Sequence, residues 1–191
     1  MRWFWILLII IMFVGCTGSS NGPLQTTTPP AEETLPPFQV PKGEPLKFIN
    51  TTQRLLGIED FPEELEHIKT VSSQNPTANY SVIELGSRGM NVTNKVSVYP
   101  SPAHTIYGGY GYATSEGVLT DLFGENYTRV KHDALGEDSS IYAGQKDSAF
   151  VYLIVVRTHI LVSEITIFTQ VELETERLLE IGEKSASKLV L

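Results

Sequence analysis

Cysteine is almost missing from this chain. Cys16 stands alone among 191 residues, which excludes an intramolecular disulfide and leaves stability to a packed core. Tryptophan occurs only at Trp3 and Trp5, so the folded part is expected to hold none. Basic residues are scarce too: 14 Lys and Arg stand against 22 Asp and Glu, a net charge of −8, and no basic cluster offsets it. Such a surface repels nucleic-acid phosphates and anionic headgroups, which excludes nucleic-acid binding. No apolar run approaches the roughly 20 residues that cross a bilayer. Nucleotide loops are absent as well. Gly108-Gly109-Tyr110-Gly111-Tyr112 fails both the P-loop and the G-x-G-x-x-G spacing, with Thr114 where the last glycine belongs.

What is present begins at the first residues. Arg2 precedes an unbroken apolar run from Trp3 to Val14, followed by Gly15 and Cys16. A charged end, a short apolar span and a small residue before the processing point is the layout of an export signal. Phe13-Val14-Gly15-Cys16 resembles the lipobox of bacterial and archaeal lipoproteins, with Phe13 in place of the usual leucine. The resemblance implies removal of residues 1–15, a lipid thioether on Cys16, and attachment to the outer face of the cell membrane. An ordinary secretory signal and a membrane anchor are the competing readings. Residues 16–47 read as a Thr/Pro-rich linker, since seven of the eleven prolines fall between positions 17 and 45. Proline biases such a stretch toward extended polyproline II, at about 3 Å per residue, and few large apolar side chains are there to build a core.

Residues 48–191 suffice for one α+β domain, an antiparallel β-sheet flanked by helices. Pro62 and the acids after it predict a short helix over 63–69, with Asp60 as its cap. Alternation predicts strands over 80–85 and 92–99, joined by the turn Gly86-Ser87-Arg88-Gly89. Ser101-Pro102 is a helix start, and the glycines after Tyr107 predict that this helix fails near Gly108. Further strands are expected over 127–132, 139–142, 149–156 and 160–168, the last two turning at Arg157-Thr158-His159. A closing helix over 172–189 carries its acids first and its lysines last, as the helix dipole favours. Leu178, Ile181, Gly182, Ser185 and Leu189 form its core-facing stripe.

Three of these pieces, Leu135-Gly136-Glu137-Asp138-Ser139, Val155-Val156-Arg157 and Ala186-Ser187-Lys188-Leu189, occur in an order that resembles one group. It is similar to the domain of LpqN-type lipoproteins and of the extracellular sensor regions of some membrane kinases, related in fold to the photosystem oxygen-evolving protein P. The resemblance covers roughly residues 48–190. It implies an antiparallel sheet flanked by helices and a binding or accessory role, with no catalysis.

Few residues carry chemistry. His132-Asp133 with Glu137 and Asp138 is the densest polar cluster, the kind that serves acid/base work or a metal. No two histidines stand at ligand spacing, so neither a metal nor a cofactor is expected. Glu63 and His67 would lie one turn apart on the predicted helix. Tyr107, Tyr110 and Tyr112 are the candidate binding residues, aromatic rings beside glycines that let a partner approach. Asn50, Asn79, Asn91 and Asn126 open four Asn-x-Ser/Thr sequons, glycan acceptors on an exported protein. The function expected is a lipid-anchored surface module that binds an unidentified small molecule or protein. A surface hydrolase using His132 and Asp133, and a structural envelope component, stand as alternatives.

Overall fold

The computed structural model describes residues 49–74 and 79–190. The leader, Cys16 and the Thr/Pro-rich linker lie outside them. Seven strands form one antiparallel sheet: β1 (Glu66–Gln74), β2 (Asn79–Gly86), β3 (Met90–Val98), β4 (Tyr127–His132), β5 (Asp138–Lys146), β6 (Ala149–Thr158) and β7 (Leu161–Thr169). Their order across the sheet is β1-β2-β3-β7-β6-β5-β4. Neighbours in sequence pair as hairpins, and the chain leaves the sheet after β3 and returns at the far edge with β4. Two-residue turns close the central hairpins. Asp147 and Ser148 both take positive φ between β5 and β6, the mirror-image turn that matches strand twist.

The central strands are buried on both sides, and their side chains alternate accordingly. Tyr152, Ile154 and Val156 of β6 enter one core with Leu178, Ile181 and Leu189 of α4 (Thr175–Leu189). Val151, Leu153 and Val155 enter a second core on the opposite face with Ala113, Leu119 and Phe123. That second layer is a chain of short helical pieces. They are an α-turn α1 (Pro102–His104), a π-helical stretch (Thr105–Tyr110), another α-turn α2 (Gly111–Ala113), and α3 (Glu116–Phe123).

The expected α+β class, the turn at 86–89 and the α4 stripe are all present, and the five stripe residues are buried. Four expectations need correction. The segment 66–69 is strand, not helix: β1 is held by pairing with β2 in register Thr70↔Ile83, and cross-strand pairing outweighs the helical preference of Glu66 and the acids before it. The helix begun at Ser101 does not fail at Gly108 but continues as a π-helix to Tyr110. A Cβ on Gly109 would sit 2.7 Å from the Tyr99 ring and 2.8 Å from Val162, so the glycine lets this helix approach the sheet. The β6–β7 turn is His159-Ile160, because Thr158 still pairs with Leu161. The closing helix begins at Thr175. Three elements were not foreseen: α3 at Glu116–Phe123 and two short 3-10 turns before β1, at Thr52–Arg54 and Ile58–Asp60.

Candidate functional site

The tyrosine segment is fixed from Ser101. Its side chain accepts from the backbone N–H of His104, and Thr105 Oγ1 donates to the Ser101 carbonyl oxygen at 2.9 Å. The resulting helical run shows solvent Ile106, Tyr107 at 72 % and Tyr112 at 63 % exposure. Tyr110 differs from its neighbours. It is half-buried, and its hydroxyl shares a 2.8 Å hydrogen bond with Ser140 Oγ. Burial pushes its phenol above the ordinary value, with the Ser140 bond working against that. The three candidate rings therefore divide into two exposed and one anchored.

The His132 cluster does assemble. His132 Nε2 is 3.0 Å from Asp133 Oδ2. Its Nδ1 lies 3.0 Å from the Ser139 carbonyl oxygen and 3.1 Å from Ser140 Oγ. A carbonyl only accepts, so Nδ1 is a donor here. Ser140 is fully buried, its hydroxyl capped on one side by Tyr110 and on the other by His132. A serine so enclosed has no approach path for a substrate carbonyl, so the arrangement ties β4 to β5. Glu137 and Asp138 are drawn away to Arg157, which is buried and pairs with both. Glu63 and His67 do not meet. Glu63 pairs with Arg177 at 2.9 Å, while His67 Nε2 bonds Thr70 Oγ1 at 2.8 Å. Among the described residues no three His, Cys, Asp or Glu gather as metal ligands.

The sequons scatter. Asn50, Asn91 and Asn126 are exposed and Asn79 is half-buried. The Asn79 sequon ends in Ser81, a buried residue whose hydroxyl bonds those of Thr51 and Ser72, both at 2.7 Å. Asn126 stands on the rim of the feature that the sequence did not reveal.

That feature is a groove of about 780 Å³, open to solvent, between the β4–β6 end of the sheet and the start of α4. Its apolar lining comes from Val130, Phe150, Leu173 and Leu178, and its acids are Glu125 and Glu172. Tyr152 lines it from β6 while only 3 % exposed. The Tyr152 hydroxyl oxygen accepts the Leu173 backbone N–H at 2.8 Å. Burial pushes this phenol upward, against the effect of that backbone bond. Gly144, also in the lining, is required to be small: a Cβ there would meet Phe123 at 2.8 Å and the Asn126 carbonyl oxygen at 2.9 Å. The groove is drawn from four separate parts of the chain, so no local motif announces it.

No family model matches this chain, and no curated protein matches it. Its fold is similar to that of the extracellular domain of PknH from Mycobacterium tuberculosis. The TM-score is 0.51 at 9 % identity, covering 76 % of this chain and 97 % of that one. The likeness is one of fold alone, and it matches the kinase-sensor part of the resemblance. No helix among the described residues is long and apolar enough to cross a membrane.

Proposed function

We propose that this protein is a binding module held on the outer face of the cell membrane by lipid on Cys16, with the groove between β4–β6 and α4 as its receptor site. The observation that carries this reading is the groove itself. Its size suits a small molecule, and its lining sets apolar side chains beside a comparable share of polar groups. Three further features support it. The neighbour in fold is the extracellular domain of another protein. The chain opens with a lipoprotein-like leader, and the linker at 16–47 would hold the domain away from the surface.

Two experiments test this. Thermal-shift screening of small molecules against the chain and its Thr128→Trp variant, which fills the groove from an exposed position on β4, addresses the site. Hits are expected to stabilise the parent and lose their effect in the variant. Hits that survive the substitution, or none from a broad collection, would count against the groove. Cys16→Ser addresses attachment. Protein should leave the membrane fraction or remain unprocessed, and a variant that stays bound and cleaved like the parent removes the lipid anchor.

A second contact is favoured by the exposure of Tyr107 and Tyr112 beside Ile106. Large amphipathic rings on one solvent-facing stretch suit a protein partner. The groove faces α4, whereas these rings sit on the helical layer across the sheet, so both contacts can be made at once.

A further inference from the structure

The groove's chemistry narrows its ligand, on the premise that the groove is the receptor site. Fourteen residues line it, and none is Lys, Arg or His. Its two ionised groups, Glu125 and Glu172, are both acidic and exposed. They share the lining with the half-buried rings of Tyr127 and Phe150 and the half-buried side chains of Val130 and Leu173. A groove bordered by carboxylates and aromatic rings attracts a cation twice, through Coulomb attraction and through the ring quadrupoles. The net charge of −8 reinforces the same sign at long range. A carboxylate or phosphate ligand would find no side-chain counter-charge there. The start of α4 does not reverse this, because Glu172, Glu174 and Glu176 surround it and offset its partial positive charge.

We propose that the groove binds an organic amine: a protonated ammonium against Glu125 and Glu172, joined to an apolar or aromatic body that lies against Phe150, Val130 and Leu173. Tryptamine is the probe, with tryptophol as its neutral counterpart and indole-3-acetate as the anionic one. Titration calorimetry on the full chain should show tryptamine binding at least about tenfold more tightly than tryptophol, a difference of about 1.4 kcal/mol, and indole-3-acetate more weakly still. The Glu125→Gln/Glu172→Gln double variant, altered only at exposed positions, should bring tryptamine to the level of tryptophol. Equal or tighter binding of tryptophol or indole-3-acetate would overturn the amine while leaving the groove a receptor site, provided Thr128→Trp abolishes that binding. Unchanged tryptamine affinity in the double variant would overturn it too, as would no binding of any of the three.

Discussion

At the scale of single residues, two adjacent glycines show how a substitution can change sign. Gly108 and Gly109 both lie in the π-helical stretch, where glycine costs about 1 kcal/mol relative to alanine. A Cβ on Gly108 would approach nothing nearer than the Tyr99 ring, 4.0 Å away, whereas one on Gly109 would press on Tyr99 and Val162. Gly108→Ala should therefore gain about 0.5–1 kcal/mol, and Gly109→Ala should lose about 1–3 kcal/mol by overpacking. Urea unfolding of the two variants checks this. Equal effects would mean that the helix does not sit against the sheet as described. Adjacent tyrosines divide in the same way. Tyr112→Ala should leave stability within about 0.5 kcal/mol of the parent, as expected for an exposed side chain. Tyr110→Ala removes a half-buried ring and the partner of the Ser140 hydroxyl, and should cost about 2 kcal/mol. The sequence marked all three rings alike because periodicity cannot tell which side of a π-helical stretch meets the sheet. Ser140, which turns the His132 cluster into a closed network, carried no signal at all, being one small residue in a strand.

Among elements, those with a strong period were legible and those that depend on partners were not. The α4 stripe declares itself by burial every 3.6 residues, and β6 and β7 by Val/Ile-rich apolar runs of strand length. Strand β1 does not. Ile68 and Val71 are exposed, and Leu65 with Ile68 mimics a helical spacing. Only the ladder to β2 makes the segment a strand. Helix α3 hid for a different reason. Its end signals are visible, Ser115 before it and Gly124 at positive φ after it, but eight residues containing Gly117 show only one buried pair, Leu119 and Phe123. What then locks the elements together is a buried polar chain. The Leu56 N–H donates to Asn94 Oδ1, Asn94 Nδ2 donates to Ser163 Oγ, and Ser185 Oγ donates to Ser163 Oγ, each at 2.8 Å. It joins the segment before β1 to β3, β7 and α4. Asn94→Ala leaves the buried Leu56 N–H without a partner and takes one of its two donors from the Ser163 hydroxyl oxygen, so a loss of about 2–3 kcal/mol is expected. Ser185→Ala, at the end of the chain, should cost nearer 1 kcal/mol. A double variant that loses less than the sum of its parts would confirm one coupled network, and strict additivity would argue for independent bonds.

For the whole molecule, the titratable groups set the pH range of stability at both ends. In acid, Lys184 and then Arg177 hold the Glu180 carboxyl below its ordinary 4.5. Stability from that site is present above the unfolded value and is lost as pH falls through the folded one. In alkali the relevant groups lie on the sheet and under the helical layer. Burial raises the phenols of Tyr99, Tyr110 and Tyr152 above 10.0. Burial works against the charge on Lys95, but the Glu164 carboxylate, 2.7 Å away, outweighs it and holds the amine above 10.5. All four shifts have the same sign. The folded protein keeps protons that the unfolded chain releases, so the unfolded state binds fewer protons as pH passes about 10, and stability must fall there. The urea midpoint should thus hold level from about pH 6 to about pH 9 and decline steeply by about pH 11. Tyr110→Phe removes one of these protons, and its alkaline decline should be shallower even though its midpoint at neutral pH is lower. A parent midpoint that stays flat or rises up to about pH 11 would show that these phenols ionise as freely in the folded protein as in the unfolded chain. That result would contradict the burial of Tyr152 beneath the proposed receptor groove.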